Sequence, residues 1–215
     1  MTKPSQPKLP THLETRNQIG EKLVSPSASR NSQVIGQQLD KILPIGAHVL
    51  EIASGTGQHG AFMCALRPDI YWQMSDIDDA SRQSQNAYAQ EFQMQMPPSL
   101  PLNMMDDGWA DNIVPVDVIY CANMIHIAPW QAALGVAKSA ETVLKEGGRL
   151  CLYGPFLKTV GSASSNVEFD KSLKTRNPEW GVRNLQAVKH IFADSGLSHC
   201  TVIEMPRDNF FLVFK

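Results

Sequence analysis

The sequence predicts a three-layer α/β protein, with a mostly parallel sheet, helices on both of its faces and an antiparallel terminal strand. Apolar strand patterns alternate with helical patterns five times along the chain, which favours parallel pairing. A glycine-rich turn, Gly55-Thr56-Gly57, lies between the first strand pattern and the next helix. Near the C-terminus, Pro206-Arg207-Asp208 joins two strand patterns closely enough to form a hairpin, which makes the last strand antiparallel.

Length and composition favour one cytoplasmic domain. A chain of 215 residues with 43% hydrophobic residues can bury one sizeable core. Its net charge of −2, without a run of Lys or Arg, argues against a general binder of nucleic acid or membrane surfaces. The first ten residues lack the apolar stretch of a signal peptide. The cysteines lack metal-ligand spacing, so we expect no metal site and free thiols in a reducing compartment: Cys64, Cys121, Cys151 and Cys200.

The N-terminal part divides into an arm and the start of a single domain. Residues 1–29 are rich in Pro, Ser and Thr and predict a loose arm, although Leu13 to Val24 is compatible with a short helix. Residues 30–215 form the predicted domain. Its first helix begins at Asn31 or Ser32, with Ser32 as the cap, and ends before Pro44 and Gly46.

Five strands with their following helices then complete the predicted sheet. The strands are expected at Ala47 to Ala53, Ile70 to Ser75, Leu102 to Met105, Val116 to Ala122 and Arg149 to Tyr153. The helices are expected up to Leu66, from Ala80 to Phe92, from Trp130 to Leu144 and from Leu185 to Ser195. Residues 158–183 are polar and irregular, which predicts a lid or insertion. The terminal hairpin pairs His199 to Met205 with Asn209 to Phe214.

The glycine turn is compatible with two kinds of cofactor. Gly55, Gly57 and Gly60 satisfy both the dinucleotide-binding pattern and a nucleoside-binding one. Glu51, near the end of the preceding strand, would repel a pyrophosphate at the start of the helix. Its carboxylate suits a ligand that carries an ammonium or sulfonium group, as in S-adenosylmethionine.

Acidic residues are also expected at the ends of the next two strands. Asp76 ends the second strand, where an acid accepts hydrogen bonds from ribose hydroxyls in both families of cofactor-binding folds. Asp106 ends the third predicted strand, and we expect it to meet the adenine amino group. A single acid of this kind is usually a solvated strand end, but three at successive strands favour a nucleoside site.

These features resemble a class I S-adenosylmethionine-dependent methyltransferase over about residues 30 to 215, with Leu144 to Leu150 as a further matching segment. The resemblance implies a Rossmann-like seven-stranded sheet and S-adenosylmethionine as cofactor. It implies cofactor contacts from Glu51, Ser54, Gly55, Thr56, Gly57, His59, Asp76, Asp106 and Asn123. Several phrases are more narrowly similar to the methyltransferase-like 26 family: Arg30-Asn31, residues 52–59, residues 123–127, Tyr153-Gly154-Pro155-Phe156 and residues 177–183.

Candidate catalytic residues lie after the fourth and fifth strands. Methyl transfer from a sulfonium is an in-line displacement that depends on positioning and needs no universal base. His126 is a candidate proton acceptor, Asn123 a candidate orienting group and Tyr153 a candidate substrate contact. Two of these residues could equally have structural roles. His126 could cap a helix or pack under the loop, and Tyr153 could be an ordinary residue at a strand end.

Candidate substrate-binding residues are Arg30, Arg176, Trp180 and Arg183. Two arginines and an aromatic ring would suit an anionic or planar small molecule, whereas ion pairs with acids such as Asp170 and Glu179 are the simpler interpretation. The sequence therefore predicts an S-adenosylmethionine-dependent methyltransferase of a small molecule, a monomer or homodimer without nucleic-acid or membrane partners. Two alternatives stay open: an NAD(P)-dependent oxidoreductase and a non-catalytic S-adenosylmethionine-binding protein.

Overall fold

Strands and helices alternate along residues 16–215, the part of the chain that this computed structural model describes. The strands are β1 (Asn17–Ile19), β2 (Lys22–Val24), β3 (His48–Ile52), β4 (Tyr71–Met74), β5 (Val116–Ala122), β6 (Leu144–Pro155), β7 (Cys200–Met205) and β8 (Asn209–Phe214). The helices are α1 (Pro26–Asp40), α2 (Gln58–Leu66), α3 (Asp79–Ala89), α4 (Trp130–Val143), α5 (Ser164–Arg176) and α6 (Leu185–Ala193). Short 3₁₀ turns occur at Gln90–Phe92 and Met124–His126.

The central sheet has the strand order β4-β3-β5-β6-β8-β7. The strands β4, β3, β5 and β6 are parallel, whereas β8 pairs antiparallel with both β6 and β7. This confirms the predicted α/β fold with a mostly parallel sheet and an antiparallel terminal strand. The carboxyl ends of β3, β4 and β5 consequently lie side by side, at the edge where ligands bind in open α/β sheets.

Helices cover both faces of this sheet because successive strand residues point to opposite sides. Val49 packs in one buried cluster with residues of α1 and α2, including Ile35 and Met63. Leu50 packs in the other cluster with residues of α4 and α6, including Val136 and Phe192. The three-layer arrangement follows from this alternation. No helix within residues 16–215 is long and apolar enough to cross a bilayer.

The prediction of a seven-stranded sheet is wrong, since the sheet has six strands within the described residues. The segment Leu102 to Met105, predicted as a strand, does not pair with the sheet. Pairing beside β4 is limited to one parallel bridge between Ser75 and Leu100. Pro101 follows directly, and its missing N–H prevents the ladder from continuing.

The predicted loose arm is ordered in its described part. Residues 16–24, predicted as coil or a short helix, include a hairpin of β1 and β2, whereas Met1 to Thr15 lie outside the described residues. The helix α1 begins at Pro26, and the Ser25 hydroxyl accepts a hydrogen bond from the Ala28 N–H at 3.1 Å. The predicted Ser32 cap is therefore wrong, because Ser25-Pro26 supplies an earlier cap and a proline in the first turn.

Two boundaries in the C-terminal half also differ from prediction. β6 begins at Leu144, and residues 145–148, predicted as a helix end, form an irregularity in its pairing with β5. Residues 158–183, predicted as irregular, contain the 13-residue helix α5. Asp170 of that helix is buried, and its carboxylate accepts a hydrogen bond from the Val182 N–H at 2.9 Å. This contact anchors the chain that follows α5.

Candidate active site

The glycine turn after β3 packs directly against α3. Gly55 and Gly57 have φ angles of 57° and 92°, in the left-handed region that glycine adopts without strain. A Cβ on Gly57 would lie only 3.1 Å from the Cα of Gln85. The Gln85 side-chain amide donates a hydrogen bond to the Gly55 carbonyl at 2.9 Å. The helix thus holds the turn in a conformation that its glycines permit.

Asp76 connects the end of β4 to this turn. Its carboxylate accepts hydrogen bonds from the Gly55 N–H at 2.9 Å and from the Asp78 N–H at 3.0 Å. Burial raises the pKa of the Asp76 carboxyl, against the lowering effect of these two hydrogen bonds and of the Arg16 charge. Asp76 thus lies beside the glycine turn, as the sequence predicts for a residue that binds ribose.

A cavity of about 350 Å³ opens at this edge of the sheet. Its lining includes Gly55, Asp76 and Asn123, which follow three neighbouring parallel strands. The cavity is closed by the N-terminal segment, by the segment before β5 and by the chain after α5. These contribute Arg16, Asn31, Asn103, Asn177 and Trp180, among others.

The side chain of Glu51, predicted as a cofactor contact, lies beneath the turn and outside the cavity lining. Glu51 points into the layer of α1 and α2, as strand alternation requires, and is 1% exposed. Its carboxylate accepts a hydrogen bond from the Trp72 indole at 2.8 Å and lies 3.6 Å from Nδ1 of His59. His59 does line the cavity, and its Nε2 lies 2.9 Å from the Asn31 side-chain oxygen. Glu51 therefore supports the cavity wall through His59.

Asp106, predicted to meet the adenine amino group, also lies away from the cavity. Its side chain is exposed, lies outside the cavity lining and accepts a hydrogen bond from the Asn103 amide at 2.7 Å. Because strand pairing ends at Leu100, the chain reaches the cavity edge several residues before Asp106. Asn103 and Met104 occupy the lining there instead.

His126 is poorly placed for the predicted role of proton acceptor. Its ring is 1% exposed, packs edge-on against Phe156 and lies outside the cavity lining. Nδ1 accepts a hydrogen bond from the Arg183 N–H at 3.2 Å, and Nε2 is buried without a partner among the described residues. Burial and the Arg183 charge lower the pKa of His126 from 6.5 to about 3. The ring is therefore neutral at physiological pH and screened from a ligand.

The other two catalytic candidates differ in position. Asn123, at φ 61°, follows β5 and lines the cavity. Tyr153 is buried beside it outside the lining, and burial raises the pKa of its phenol against the lowering effect of the Asn31 side chain. Asn123 is therefore the one predicted catalytic residue that reaches the cavity.

The three arginines predicted to contact substrate have one feature in common: they lie outside the cavity lining. Arg30 is exposed on α1 and donates a hydrogen bond to the Ser27 hydroxyl at 3.0 Å. Arg176 is exposed in the last turn of α5. Arg183 donates hydrogen bonds to main-chain carbonyls, those of Ile125 at 2.7 Å and Ala128 at 2.6 Å. Of the four predicted substrate residues, only Trp180 lines the cavity.

The structure thus brings together part of the predicted set and adds residues to it. The predicted residues in the lining are Ser54, Gly55, Thr56, His59, Asp76, Asn123 and Trp180. Gly57 lies next to the lining, where its role is to shape the turn. Three further lining residues were not predicted from the sequence: Arg16, Asn103 and Asn177. They lie in loops, where the sequence carries no periodic signal for which side chains turn inward.

Comparison with solved structures identifies the class I methyltransferase fold. An O-methyltransferase family protein from Burkholderia thailandensis matches with a TM-score of 0.75 and 15% identity, over 88% of this chain and 57% of that chain. An O-methyltransferase family 2 protein from Planctomyces limnophilus, in complex with apigenin, matches with a TM-score of 0.70 and 18% identity, over 88% and 59%. Human N-acetylserotonin methyltransferase in complex with S-adenosylmethionine matches with a TM-score of 0.70 and 13% identity, over 88% and 52%. The chain spans less than three fifths of each of these proteins.

The family itself is established from the sequence. A family model described as "Protein of unknown function (DUF938)" matches residues 22–215, which include the glycine turn, Asp76 and all six strands of the central sheet. The chain therefore belongs to the DUF938 family of proteins of unknown function.

Proposed function

We propose that this protein is an S-adenosylmethionine-dependent methyltransferase that acts on a small molecule. The observation that carries the proposal is the buried Asp76 carboxylate beside the left-handed Gly55 turn, at the edge of a cavity of about 350 Å³. A nucleoside cofactor requires both features: an acid that accepts hydrogen bonds from the ribose, and a glycine that lets the ligand approach the backbone closely. The structural likeness to methyltransferases supports the proposal at the level of the fold.

The residues present fit S-adenosylmethionine. Asp76 would accept hydrogen bonds from the ribose hydroxyls, since each of its carboxylate oxygens has lone-pair capacity beyond the one N–H that it accepts. Gly55 lets the ligand approach the backbone closely, and His59 and Asn31 form the adjacent wall. When bound, the cofactor would supply an electrophilic methyl group.

The chain's own contribution to catalysis would be positioning and exclusion of water. Asn123 lies at the end of β5, where it would orient an acceptor or the cofactor. His126 is neutral and buried, so it is not proposed as the base. Alignment of a nucleophile with the methyl group can by itself supply a large part of the rate acceleration.

Titration calorimetry with S-adenosylhomocysteine and with NADH tests the choice of cofactor. We expect S-adenosylhomocysteine to bind and NADH to show no comparable affinity. NADH binding in the absence of any adenosylhomocysteine signal would refute the proposal in favour of an oxidoreductase. The position of Glu51 makes this test important. Its carboxylate lies beneath the turn, so it would not lie beside a bound pyrophosphate and does not by itself argue against NADH.

Methyl transfer itself requires a second measurement. Labelled S-adenosylmethionine is incubated with a metabolite extract and either the wild-type protein or the Asp76→Asn variant. We expect label to enter a small molecule with the wild type and to be strongly reduced with the variant. If the cofactor binds but both samples show only background labelling, the result would favour a non-catalytic binding protein.

We extend the proposal in two respects. The motif phrases, such as residues 52–59 and 123–127, support kinship with the methyltransferase-like 26 family. The four cysteines are free thiols, which supports action in a reducing compartment such as the cytoplasm. We further propose that the protein acts as a monomer or homodimer.

A further inference from the structure

One side of the cavity is distinct from the cofactor turn and carries no formal charge. We call it the acceptor wall, and it consists of Asn123, Ile127, Ala128, Asn177 and Trp180. These residues come from the loop after β5 and from the chain after α5. They are brought together by the hydrogen bond from the Gly181 N–H to the His126 carbonyl at 2.9 Å.

The polar side chains of the acceptor wall have unused hydrogen-bonding capacity. The Asn123 amide makes no hydrogen bond to another described residue, although its main chain is bonded to Tyr153 at 2.8 Å. The Asn177 side-chain oxygen accepts a hydrogen bond from the Glu179 N–H at 2.9 Å, while its NH₂ group has no partner within residues 16–215. The Trp180 indole N–H is likewise without a partner there. Polar groups at a pocket wall with free donors favour a ligand that offers lone pairs.

Trp180 supplies a flat apolar surface on the same wall. The residue is 7% exposed and packs in a small cluster with Leu173 and Val182. Because that cluster supports the indole from one side while the residue still lines the cavity, the ring is held rigidly towards a ligand. Aromatic rings of this kind stack with planar ligands and select for them.

The ionisable groups in the described lining lie beside the glycine turn and not on the acceptor wall. Arg16 donates a hydrogen bond to the Ser81 hydroxyl at 2.8 Å, and Asp76 accepts the two main-chain N–H groups described above. His59 lies between Glu51 and Asn31. A charged ligand at the acceptor wall would therefore be desolvated without a counter-ion, which disfavours its binding.

We propose that the molecule bound at the acceptor wall is an uncharged planar compound with lone-pair oxygen or nitrogen atoms, stacked on Trp180 and held by the amides of Asn123 and Asn177. That this compound is the methyl acceptor rests on the proposed function. In the transfer, its lone pair forms the new bond to the methyl carbon, and the electron pair of the broken carbon–sulfur bond stays on sulfur. The proton of the methylated hydroxyl or N–H group leaves to water.

Three probes with the same ring and different charges test the proposal: benzamide, benzoate and benzylammonium. Their binding is measured by ligand-observed NMR on the full chain, with and without saturating S-adenosylhomocysteine. We expect benzamide to bind at least about tenfold more tightly than either ion. Equal or tighter binding of benzoate or benzylammonium, or no binding of benzamide, would overturn the proposal.

Two substitutions assign the binding to this wall. Trp180→Leu should weaken benzamide binding about tenfold or more, while the affinity for S-adenosylhomocysteine stays unchanged. Asn123→Asp preserves the shape and tolerates the left-handed backbone, and should shift the preference to benzylammonium. Trp130→Leu is the control, since Trp130 lies under Arg183 outside the cavity lining. Benzamide binding that neither Trp180→Leu nor Asn123→Asp alters would refute the assignment.

The cofactor titration separates this proposal from the proposed function. If S-adenosylhomocysteine fails to bind but the probes keep the expected order, the methyltransferase assignment fails and the uncharged-ligand site stands. If S-adenosylhomocysteine binds but benzoate is preferred, the assignment stands and the acceptor proposal fails.

Discussion

At the scale of single residues, Asp76 combines an observed contact with the glycine turn and a predicted contact with a ligand. Its position after a strand predicts a ribose contact, whereas the structure adds a hydrogen bond to the Gly55 N–H that holds the glycine turn. Acids at strand ends are common. The burial of Asp76 beside the turn is therefore what favours a ligand site.

Replacing Asp76 by Asn should weaken binding of S-adenosylhomocysteine by about 1–3 kcal/mol, or roughly 5- to 150-fold. An amide has one oxygen with which to replace the two of the carboxylate, so one hydrogen bond to the turn or to ribose is lost. Calorimetry measures the change, with Asp79→Asn as a control because Asp79 is exposed on α3 and pairs with Arg82. An unchanged dissociation constant would remove Asp76 from the site.

His126 should make the protein less stable as the pH falls below about 6.5. The unfolded chain takes up a proton on His126 near pH 6.5, whereas the folded protein keeps the ring neutral until about pH 3. The unfolded state therefore binds more protons in this window, and the free energy of unfolding should fall by about 2 kcal/mol between pH 7.5 and pH 5.

Urea unfolding of His126→Gln at both pH values measures this contribution. Gln offers an oxygen to the Arg183 N–H but does not titrate. Between pH 7.5 and pH 5, the free energy of unfolding of this variant should therefore fall by about 2 kcal/mol less than that of the wild type. The exposed His190 provides the control variant His190→Gln, which should keep the wild-type pH dependence. Identical pH dependence in wild type and His126→Gln would contradict the burial argument.

At the scale of secondary structure elements, the cavity depends on how closely α4 packs against the segment before β5. A Cβ on Gly135 of α4 would lie 1.7 Å from the Met104 carbonyl oxygen. Met104 lines the cavity, and the Trp109 indole donates a hydrogen bond to the Gly135 carbonyl at 3.2 Å. A helix glycine, which is unremarkable in the sequence, thus positions a cavity wall.

Gly135→Ala should destabilise the protein by about 3 kcal/mol, because the main chain of Met104 must move. Helix propensity by itself predicts the opposite, a stabilisation of the protein by about 1 kcal/mol. Denaturant unfolding decides between them, with the neighbouring Leu134→Ala as control because Leu134 is 41% exposed. If Gly135→Ala is as stable as the wild type or more stable, the contact between Gly135 and the Met104 carbonyl is not tight.

The same scale explains which element boundaries the sequence predicts well. The apolar runs of β5 and β8 and the helical pattern of α4 agree with the structure to within about one residue. The third predicted strand failed because an apolar segment forms a strand only if its N–H groups find a partner, and Pro101 interrupts that ladder. The α1 start was misplaced because Ser32 is also a good cap residue in isolation.

At the scale of the whole molecule, three separate parts of the chain close the cavity around the sheet edge. The N-terminal hairpin is one of them: the Leu23 N–H donates to the Ser84 hydroxyl at 2.7 Å, and the Ser25 N–H donates to the Gln58 side chain at 2.6 Å. Arg16 and Ala28, on either side of the hairpin, line the cavity. A ligand would therefore contact both this segment and the core.

S-adenosylhomocysteine should protect the hairpin from trypsin and stabilise the whole protein. At a concentration one hundred times its dissociation constant, binding adds about 2.7 kcal/mol to the free energy of unfolding. Cleavage after Arg16 and Lys22, followed by mass spectrometry, should slow accordingly. NADH at the same concentration is the control, and unchanged cleavage at saturating S-adenosylhomocysteine would contradict the closure of the cavity by this segment.

The sequence by itself determined the order of the elements, the antiparallel terminal strand, the glycine turn and the place of Asp76. These are local properties: periodicity, the backbone freedom of glycine and the position of a residue at a strand end. Only the tertiary structure decided which side chains face the cavity. Glu51, His126 and Arg183 have the right chemistry, yet packing turns them to Trp72, Phe156 and main-chain carbonyls. Asn103, Asn177 and Trp180 converge from distant loops, because non-local contacts determine the direction of a loop side chain.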